Sequence, residues 1–528
     1  MNPFQLIVAQ IFRIAPCILL LIPLISCAPV GPDYVKSEVE LPKGWTGAGQ
    51  DGLEASPIEQ PQWWRDFNDP VLNGLIEIAW QQNNSLEIAG LRVLEARAQL
   101  GIAQGNRYPQ SQLAAGEAIY TSPADNFGGG SNFWQYGIGA SASWEIDFWG
   151  RFRRGIESAD AAYLASIAAR DQALILLTAQ VVNTYTYMRI NEEQLRYAKE
   201  NEALQKRSYD IASVLFRNGA DSELDMQQAH TLLLSTQASI PGFEVAVVQA
   251  RNALSTLLGK PPGSIDNLLG DEQGIPALPD QIAIGIPADL LRRRPDVRQA
   301  EFNAMAQNAR VGLAEADLYP SFSLTGSLGL VAGGAGGTDF GDLFSNDALT
   351  YSIGPSFVWP FLNYGRIRNN VRVQDARLQQ ALVNYREVVI QSARETEDAM
   401  AALNGSQAQS KILAKTVESA QRSNELSLLR YREGFSDYQR VLDSQKSLFA
   451  QQQRLVDLRG ASVLNLVSLY KSLGGGWQTQ GDSSLISEQS RQQMLQRTDW
   501  GDLLEEGIPA GSANKDKNRT SADNSSGQ

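Results

Sequence analysis

One histidine, two cysteines and six methionines are all that 528 residues contain of those types, and the scarcity excludes a good deal of chemistry. Cys/His zinc sites, Ser-His-Asp and Cys-His catalysis, and haem or iron–sulfur ligation all need residues that this chain hardly has. His230 lies in a helical pattern and reads as a surface or packing residue. No methionine cluster or histidine pair offers a soft cation a path. Basic charge is also short. Forty-five lysines and arginines stand against 58 aspartates and glutamates, a net charge of −13. Phosphate neutralisation would lack donors, so no nucleic-acid partner is expected. There is no Walker loop and no metalloprotease histidine pair. Gly333–Gly337 has the glycine content of a phosphate loop but lies between two predicted strands, so it reads as a strand connection. No enzymatic activity, cofactor or metal is expected.

Long apolar runs are missing too, except at the start. Residues 1–26 carry one charge, Arg13, followed by the apolar stretch Ile14–Ile25, the layout of a secretory signal and too short for a span. It ends Leu24-Ile25-Ser26-Cys27, which resembles a bacterial lipobox, cut before a cysteine whose sulfur then takes diacylglycerol. An ordinary cleavage site with a chance cysteine is the alternative. Cys17 leaves with the signal, so the mature chain has no thiol available for a disulfide. Ala28 follows, where an aspartate would favour inner-membrane retention, so the outer membrane is preferred.

What the chain does have is periodicity, and it has it twice. From Leu349 the apolar residues Tyr351, Ile353, Phe357, Trp359 and Phe361 alternate with Ser352, Gly354 and Ser356, the period of a strand with one apolar face. After Gly365-Arg366 the spacing turns helical, through Val371, Leu378, Leu382, Tyr385, Val389, Ala399 and Leu403, broken by Asp375, Ser392 and Thr396. A helix running on to Arg432 would be about 100 Å long at ~1.5 Å per residue, the length of a coiled coil or a projecting tube. The same device stands 215 residues earlier: Trp359 answers Trp144, Arg366 answers Arg151, Gly434 answers Gly219 and Gly474 answers Gly259. Such self-similarity marks an internal duplication.

The remaining segments fall around these two copies. Residues 28–70, with Gly31-Pro32-Asp33-Tyr34 and Trp63-Trp64-Arg65-Asp66-Phe67, read as an extended segment lying over something else. Helical spacing follows from Pro70 to Arg107, punctuated by Asn83-Asn84-Ser85 as a turn and cap. Ser111–Asp147 is the first predicted hairpin, with its tip at Ser122–Ser131. Trp134, Tyr136, Ile138, Ala140, Ala142, Trp144 and Ile146 share one face, and Phe322, Leu324, Leu328 and Leu330 repeat this in the second copy. The hairpin's first strand is weaker, because Glu117 falls on the face that should be apolar. Each copy then supplies a long helix, a turn (Asn218–Ser222; Glu433–Asp437) and a shorter returning helix. Pro261–Pro287 is an irregular connector, a short helix is expected near Leu485–Leu495, and Gly507–Gln528 reads as a tail too polar to order itself. The expected divisions are therefore a signal over 1–26, the first repeat over 27–275, the second over 276–480, and a terminal segment over 481–528.

A half-buried hairpin in water would alternate in the same way, but the aromatics near the strand ends favour a membrane barrel with interfacial girdles. Two strands per copy make four per chain. A single-chain bacterial barrel needs at least eight, and an open edge cannot be left in lipid. The barrel must then be shared among subunits.

Ile286-Pro-Ala-Asp-Leu-Leu-Arg-Arg-Arg-Pro-Asp-Val-Arg-Gln-Ala-Glu301 is the sharpest local motif, with Pro295 at a helix start where its missing N–H costs nothing. Its arginine triplet reads as ionic packing between helices. This stretch, with Leu469-Tyr-Lys-Ser-Leu-Gly-Gly-Gly-Trp477, Arg430-Tyr431-x-x-Gly434 and Gly31–Tyr34, resembles the outer-membrane factor family, the TolC-like efflux channels, and within it the NodT-type lipoprotein branch. The resemblance implies a mixed α and β membrane protein. It would be a homotrimer with four strands per chain in a shared 12-stranded barrel, above a long α-helical periplasmic barrel. Such channels are passive conduits for drugs or toxic compounds, lipid-anchored in the outer membrane, and they dock to a periplasmic adaptor and an inner-membrane pump. The resemblance also places Asp443 at the periplasmic constriction above the turn Glu433–Asp437. Gln439 and Arg440 depart from the family there, and Arg440 has Asp437 or Asp443 within reach. Arg430 and Tyr431 are latch candidates. Type I protein secretion, a structural coiled-coil lipoprotein and a lipid-tethered hydrolase are the competing readings.

Overall fold

The computed structural model describes residues 29–47, 49, 53–54, 62–122, 132–270, 274–279, 281–285, 294–334, 339–477 and 484–504. The signal, Cys27, most of the first hairpin's tip, Ile286–Arg293 and the C-terminal tail lie outside them. Among the described residues the principal elements are helices α1 (Pro70–Gln82) and α2 (Asn84–Gly105), strands β1 (Ser111–Thr121) and β2 (Phe133–Ile146), and helices α3 (Arg151–Arg217) and α4 (Glu223–Leu257). They are followed by α5 (Pro295–Ala316), β3 (Ser321–Gly333), β4 (Leu349–Val358), α6 (Arg366–Arg432), α7 (Tyr438–Ser472) and α8 (Glu488–Arg497). α2 and α5 have 22 residues each, α3 and α6 have 67, and α4 and α7 have 35.

The chain forms two compact units, and each draws on both halves of the sequence: 1–37, 95–165 and 300–385 in one, 38–94, 166–299 and 386–528 in the other. The first holds an antiparallel sheet in the order β1-β2-β3-β4. Its register aligns the alternating faces. Ile138 lies opposite Leu330, Trp144 opposite Leu324 and Ile146 opposite Phe322, and Phe322 opposes Phe357 while Leu328 opposes Tyr351. A one-residue slip would send every one of these side chains to the other face. The polar face runs in rows, with Ser141 opposite Ser327 and Ser327 opposite Ser352.

In β1 the expected face is reversed. Glu117 pairs with Gly137 and Leu113 with Ser141, so Glu117 stands on the polar face, beside a glycine with no Cβ to crowd it. The apolar face of β1 is made of Tyr120, Ala118, Gly116 and Ala114, opposite Trp134, Tyr136, Ile138 and Ala140. Pairing with β2 decided the register, because β1 has few large apolar side chains to decide it alone.

Below the sheet, Asp147 accepts from the backbone N–H groups of Phe152 (3.1 Å) and Arg153 (2.9 Å) and so caps the start of α3. The strap Gly31–Tyr34 is pinned here too. Arg154 donates to the carbonyls of Val30 and Gly31 (both 3.1 Å) and to Asp33 (2.8 Å). A Cβ on Gly31 would lie 2.3 Å from the Cα of Gly312, so two bare backbones make this contact.

The second unit contains the main apolar core. Trp63–Phe67 forms a turn of 3₁₀ helix with Trp63, Trp64 and Phe67 buried, where an extended cover was expected. Trp63 stacks on Tyr470 at 5.0 Å, and Tyr470 donates to Asp66 at 3.0 Å, so this segment belongs to the core itself. Around it pack Leu72, Leu75, Ile76, Leu174, Tyr185, Leu254 and Leu466. Asn83 caps α2 as expected, accepting from Leu86 N at 2.9 Å. Ser392 and Thr396, polar breaks in the stripe by sequence, lie within the buried face of α6, and their hydroxyls donate to the carbonyls of Val389 (2.8 Å) and Ser392 (3.0 Å). Arg294, the one arginine of the triplet among the described residues, is buried among Asp296 (2.7 Å), Glu395 (2.9 Å) and the carbonyl of Ser472 (2.9 Å), in ionic packing as expected.

Candidate functional site

Two features of the structure bear on function: the turns that close the two helix pairs in one unit, and the two faces of the sheet in the other. The turns have the same backbone. In each a glycine of positive φ follows the long helix, Gly219 at 69° and Gly434 at 75°. Ala220 N donates to Leu215 O and Gly219 N to Phe216 O, both at 2.9 Å. Phe435 N donates likewise to Arg430 O (2.8 Å), and Gly434 N to Tyr431 O (3.0 Å). This is the Schellman pairing, which satisfies carbonyls that a helix end would otherwise leave bare.

Their side chains differ. In the first turn Ser222 caps α4, accepting from Asp225 N at 3.2 Å, and its hydroxyl donates to the Asp225 carboxylate at 2.7 Å. In the second, Asp437 stands at the cap of α7 without a side-chain capping bond. Its carboxylate lies 3.9 Å from Arg440, and both groups are largely in water. A pair so exposed contributes little stability.

Tyr431 joins the two turns. It is 4% exposed, its hydroxyl donates to the carboxylate of Asp221, and its ring meets Tyr438 edge-on at 5.3 Å. Ala212, Ala229, Leu232, Val441 and Leu442 complete the small core around it. Burial, and then the Asp221 carboxylate, push the Tyr431 phenol above its ordinary range, so it stays a donor. Burial, with Asp225 beside it, does the same to Tyr438. The carboxyl of Asp225 is itself raised, first by burial and then by Asp221 and Asp437, against the lowering effect of the Ser222 hydrogen bond.

The residues expected at the aperture do not form one cluster. Asp443 is exposed and accepts from Gln439 Nε2 at 3.0 Å, one helical turn away. Arg440 is paired with Asp437 and not with Asp443. Of the two latch candidates, Tyr431 turns inward and Arg430 is exposed. Sequence reading missed Asp221, the partner of Tyr431. A signal for it existed: at the 215-residue offset Tyr431 answers Phe216, so the copies differ there by one hydroxyl.

On the sheet, the polar face carries the hydroxyl pair Ser327–Ser352 (2.8 Å) and both charged side chains of the four strands, Glu117 and Glu145. The other face is aromatic at both ends. Trp144 donates its indole N–H to Arg107 O (3.2 Å), and Trp359, just past β4, donates to Leu318 O (3.1 Å). At the opposite end Tyr120, Trp134 and Tyr136 pack in series, with centroids 5.2 and 5.9 Å apart. Among the described residues β1 and β4 each leave one edge unpaired.

Residues 75–260 and 286–475 match the family described as outer membrane efflux protein. Over 474 residues the chain is 32% identical to the cation efflux system protein CusC of Escherichia coli O6:H1, covering 88% of this chain and 100% of that one. It is 30% identical over 474 residues to nodulation protein T of Rhizobium leguminosarum bv. viciae, covering 88% and 94%. Among solved structures, the outer-membrane channel OprN superposes with a TM-score of 0.79 at 30% identity, covering 85% of this chain and 99% of that one.

Proposed function

From the premise that the chain belongs to the outer membrane efflux protein family, we propose that it is the passive outer-membrane conduit of a tripartite pump, exporting small toxic molecules. The observation that carries this reading is the four-stranded sheet with one apolar face, one polar face and two open edges. Lipid does not tolerate an open edge, and four strands cannot close alone. Three copies would pair β4 of one chain with β1 of the next and close a 12-stranded barrel, lined by Ser141, Ser143, Ser352 and Ser356.

The equal helix lengths support two tandem copies, over 27–275 and 276–480, with 481–528 as a terminal segment. Cys27 would carry the lipid. The turn Glu433–Asp437 would form the periplasmic end, with Asp443, Gln439 and Arg440 about the aperture and the Tyr431–Asp221 bond as its latch. Arg430, outward on the same helix, is free to reach a neighbouring copy. A periplasmic adaptor and an inner-membrane pump would dock there. Three of the relatives, all CusC proteins, are named for cation efflux. The sequence has no methionine cluster or histidine pair to pass a soft cation along, and on that ground organic cargo is preferred.

Planar bilayers test the proposal. The purified lipoprotein should insert as trimers and conduct ions, and crosslinking in cells should recover an adaptor on residues of the second turn. A trimer that never conducts would make the protein a structural coiled-coil lipoprotein instead.

A further inference from the structure

The aromatic series on the apolar face does not stop at the strand ends. Tyr136, the third ring after Tyr120 and Trp134, meets Phe340 edge-on at 5.1 Å, and Phe340 meets Phe344 at 6.4 Å. These two phenylalanines belong to the connection between β3 and β4, where Phe340–Phe344 is a short 3₁₀ helix. Residues 339–348 of it are held by local contacts. Leu343 and Ala348 are buried, and Asp339 and Asp342 close a reciprocal capping box over its first turn. Yet Phe340 is 56% and Phe344 72% exposed. A capped segment that holds two phenylalanine rings outward, in line with three more aromatics, is an apolar surface awaiting a partner.

We propose that residues 339–348 form a collar seated in the outer leaflet, at the boundary between headgroups and acyl chains, extending the lipid-facing surface past the strands. The proposal rests on the reading of the Trp134–Tyr136–Ile138 face as the lipid side. Three observations select lipid as the occupant. The surface is continuous with that face. It leans over β2, an interior strand, and so away from the β4 edge where a second copy would pair. Its depth is also bounded: a segment that carries the exposed carboxylates of Asp339, Asp342 and Asp347 cannot enter hydrocarbon, whereas the interface suits aromatic rings beside carboxylates that stay wet.

Nitroxide labels on single-cysteine variants of the full lipoprotein in bilayers test this, read by collision with oxygen, which partitions into lipid, and with a water-soluble nickel chelate. Phe344→Cys is the test position, Ile353→Cys the lipid-side control and Ser352→Cys the lumen-side control. We expect the oxygen-to-nickel ratio at 344 to match that at 353 and to exceed that at 352. A water-like ratio at 344 with the expected contrast between 353 and 352 overturns the collar and leaves the face assignment standing. Exclusion of both reagents at 344 also overturns it, in favour of a neighbouring copy. Reversal of 353 and 352 sinks the face assignment, and the collar with it.

Discussion

The sheet and the paired turns are specified in opposite ways. Along the sheet each residue's neighbours are set by position: the next residue faces the other side, and the residue opposite comes from a strand of the same pattern. The error of placing one side chain wrongly is shared by the whole strand. At the turns one hydrogen bond between residues 210 apart in sequence, Tyr431 to Asp221, set in a small apolar core, joins two loops whose backbones are alike. The sheet is therefore robust and repetitive, while the turns depend on a few atoms. In the proposed channel this difference would suit a wall that holds and an end that opens.

The contrast can be broken most sharply at the sheet. A charge at mid-depth on the lipid face should cost about 2–4 kcal/mol, against little on the lumen side. If three copies share the barrel as proposed, Ile353→Arg should abolish the trimer band on gels, whereas Ser352→Arg should retain it; the opposite outcome would invert the register.

The turns should respond to the loss of one oxygen. Tyr431→Phe removes a hydrogen bond to a charged group, worth about 1.5–3 kcal/mol, and leaves Asp221 to water. Hydrogen exchange should accelerate over residues 428–442 while the protection of β2 and β3 stays unchanged. Exchange over 428–442 unchanged by the substitution would remove the latch.

A smaller effect follows from Asp225. Its carboxyl is raised in the folded protein, chiefly by burial and then by Asp221 and Asp437. The stability linked to that proton is fully present below the ordinary carboxylate range and is lost as pH rises through the raised value. The turns should therefore loosen between acid and neutral pH, and Asp225→Asn should flatten the dependence of resting conductance on pH. Arg440→Ala should have the least effect, since it breaks only an exposed pair with Asp437. A large rise in resting conductance from that variant would mean that the pair is buried in the trimer.

The two regions were also unequally legible. Period-two runs in β2, β3 and β4 state their own faces, and the helix starts at Arg151 and Arg366 follow a visible change of period. The faces of β1 are not legible in its own sequence, because alanine and glycine leave them nearly equal and only its partner fixes them. Trp63–Phe67 has the local pattern of an extended cover, because its partner, Tyr470, lies some 400 residues away and nothing local announces the stack. At the turns, the sequence points to Tyr431 without its acceptor. Asp221 becomes visible only where the two copies are laid side by side and one phenyl ring is found to have gained a hydroxyl.

The most direct test of the proposed aperture is the single-channel record of Asp443→Ala beside the parent protein in planar bilayers under a salt gradient. Three carboxylates brought towards a common axis would attract cations and repel one another. The account predicts a higher conductance and a reversal potential shifted towards zero as cation preference weakens. Conductance and reversal potential both unchanged would contradict it and place the constriction elsewhere in the channel.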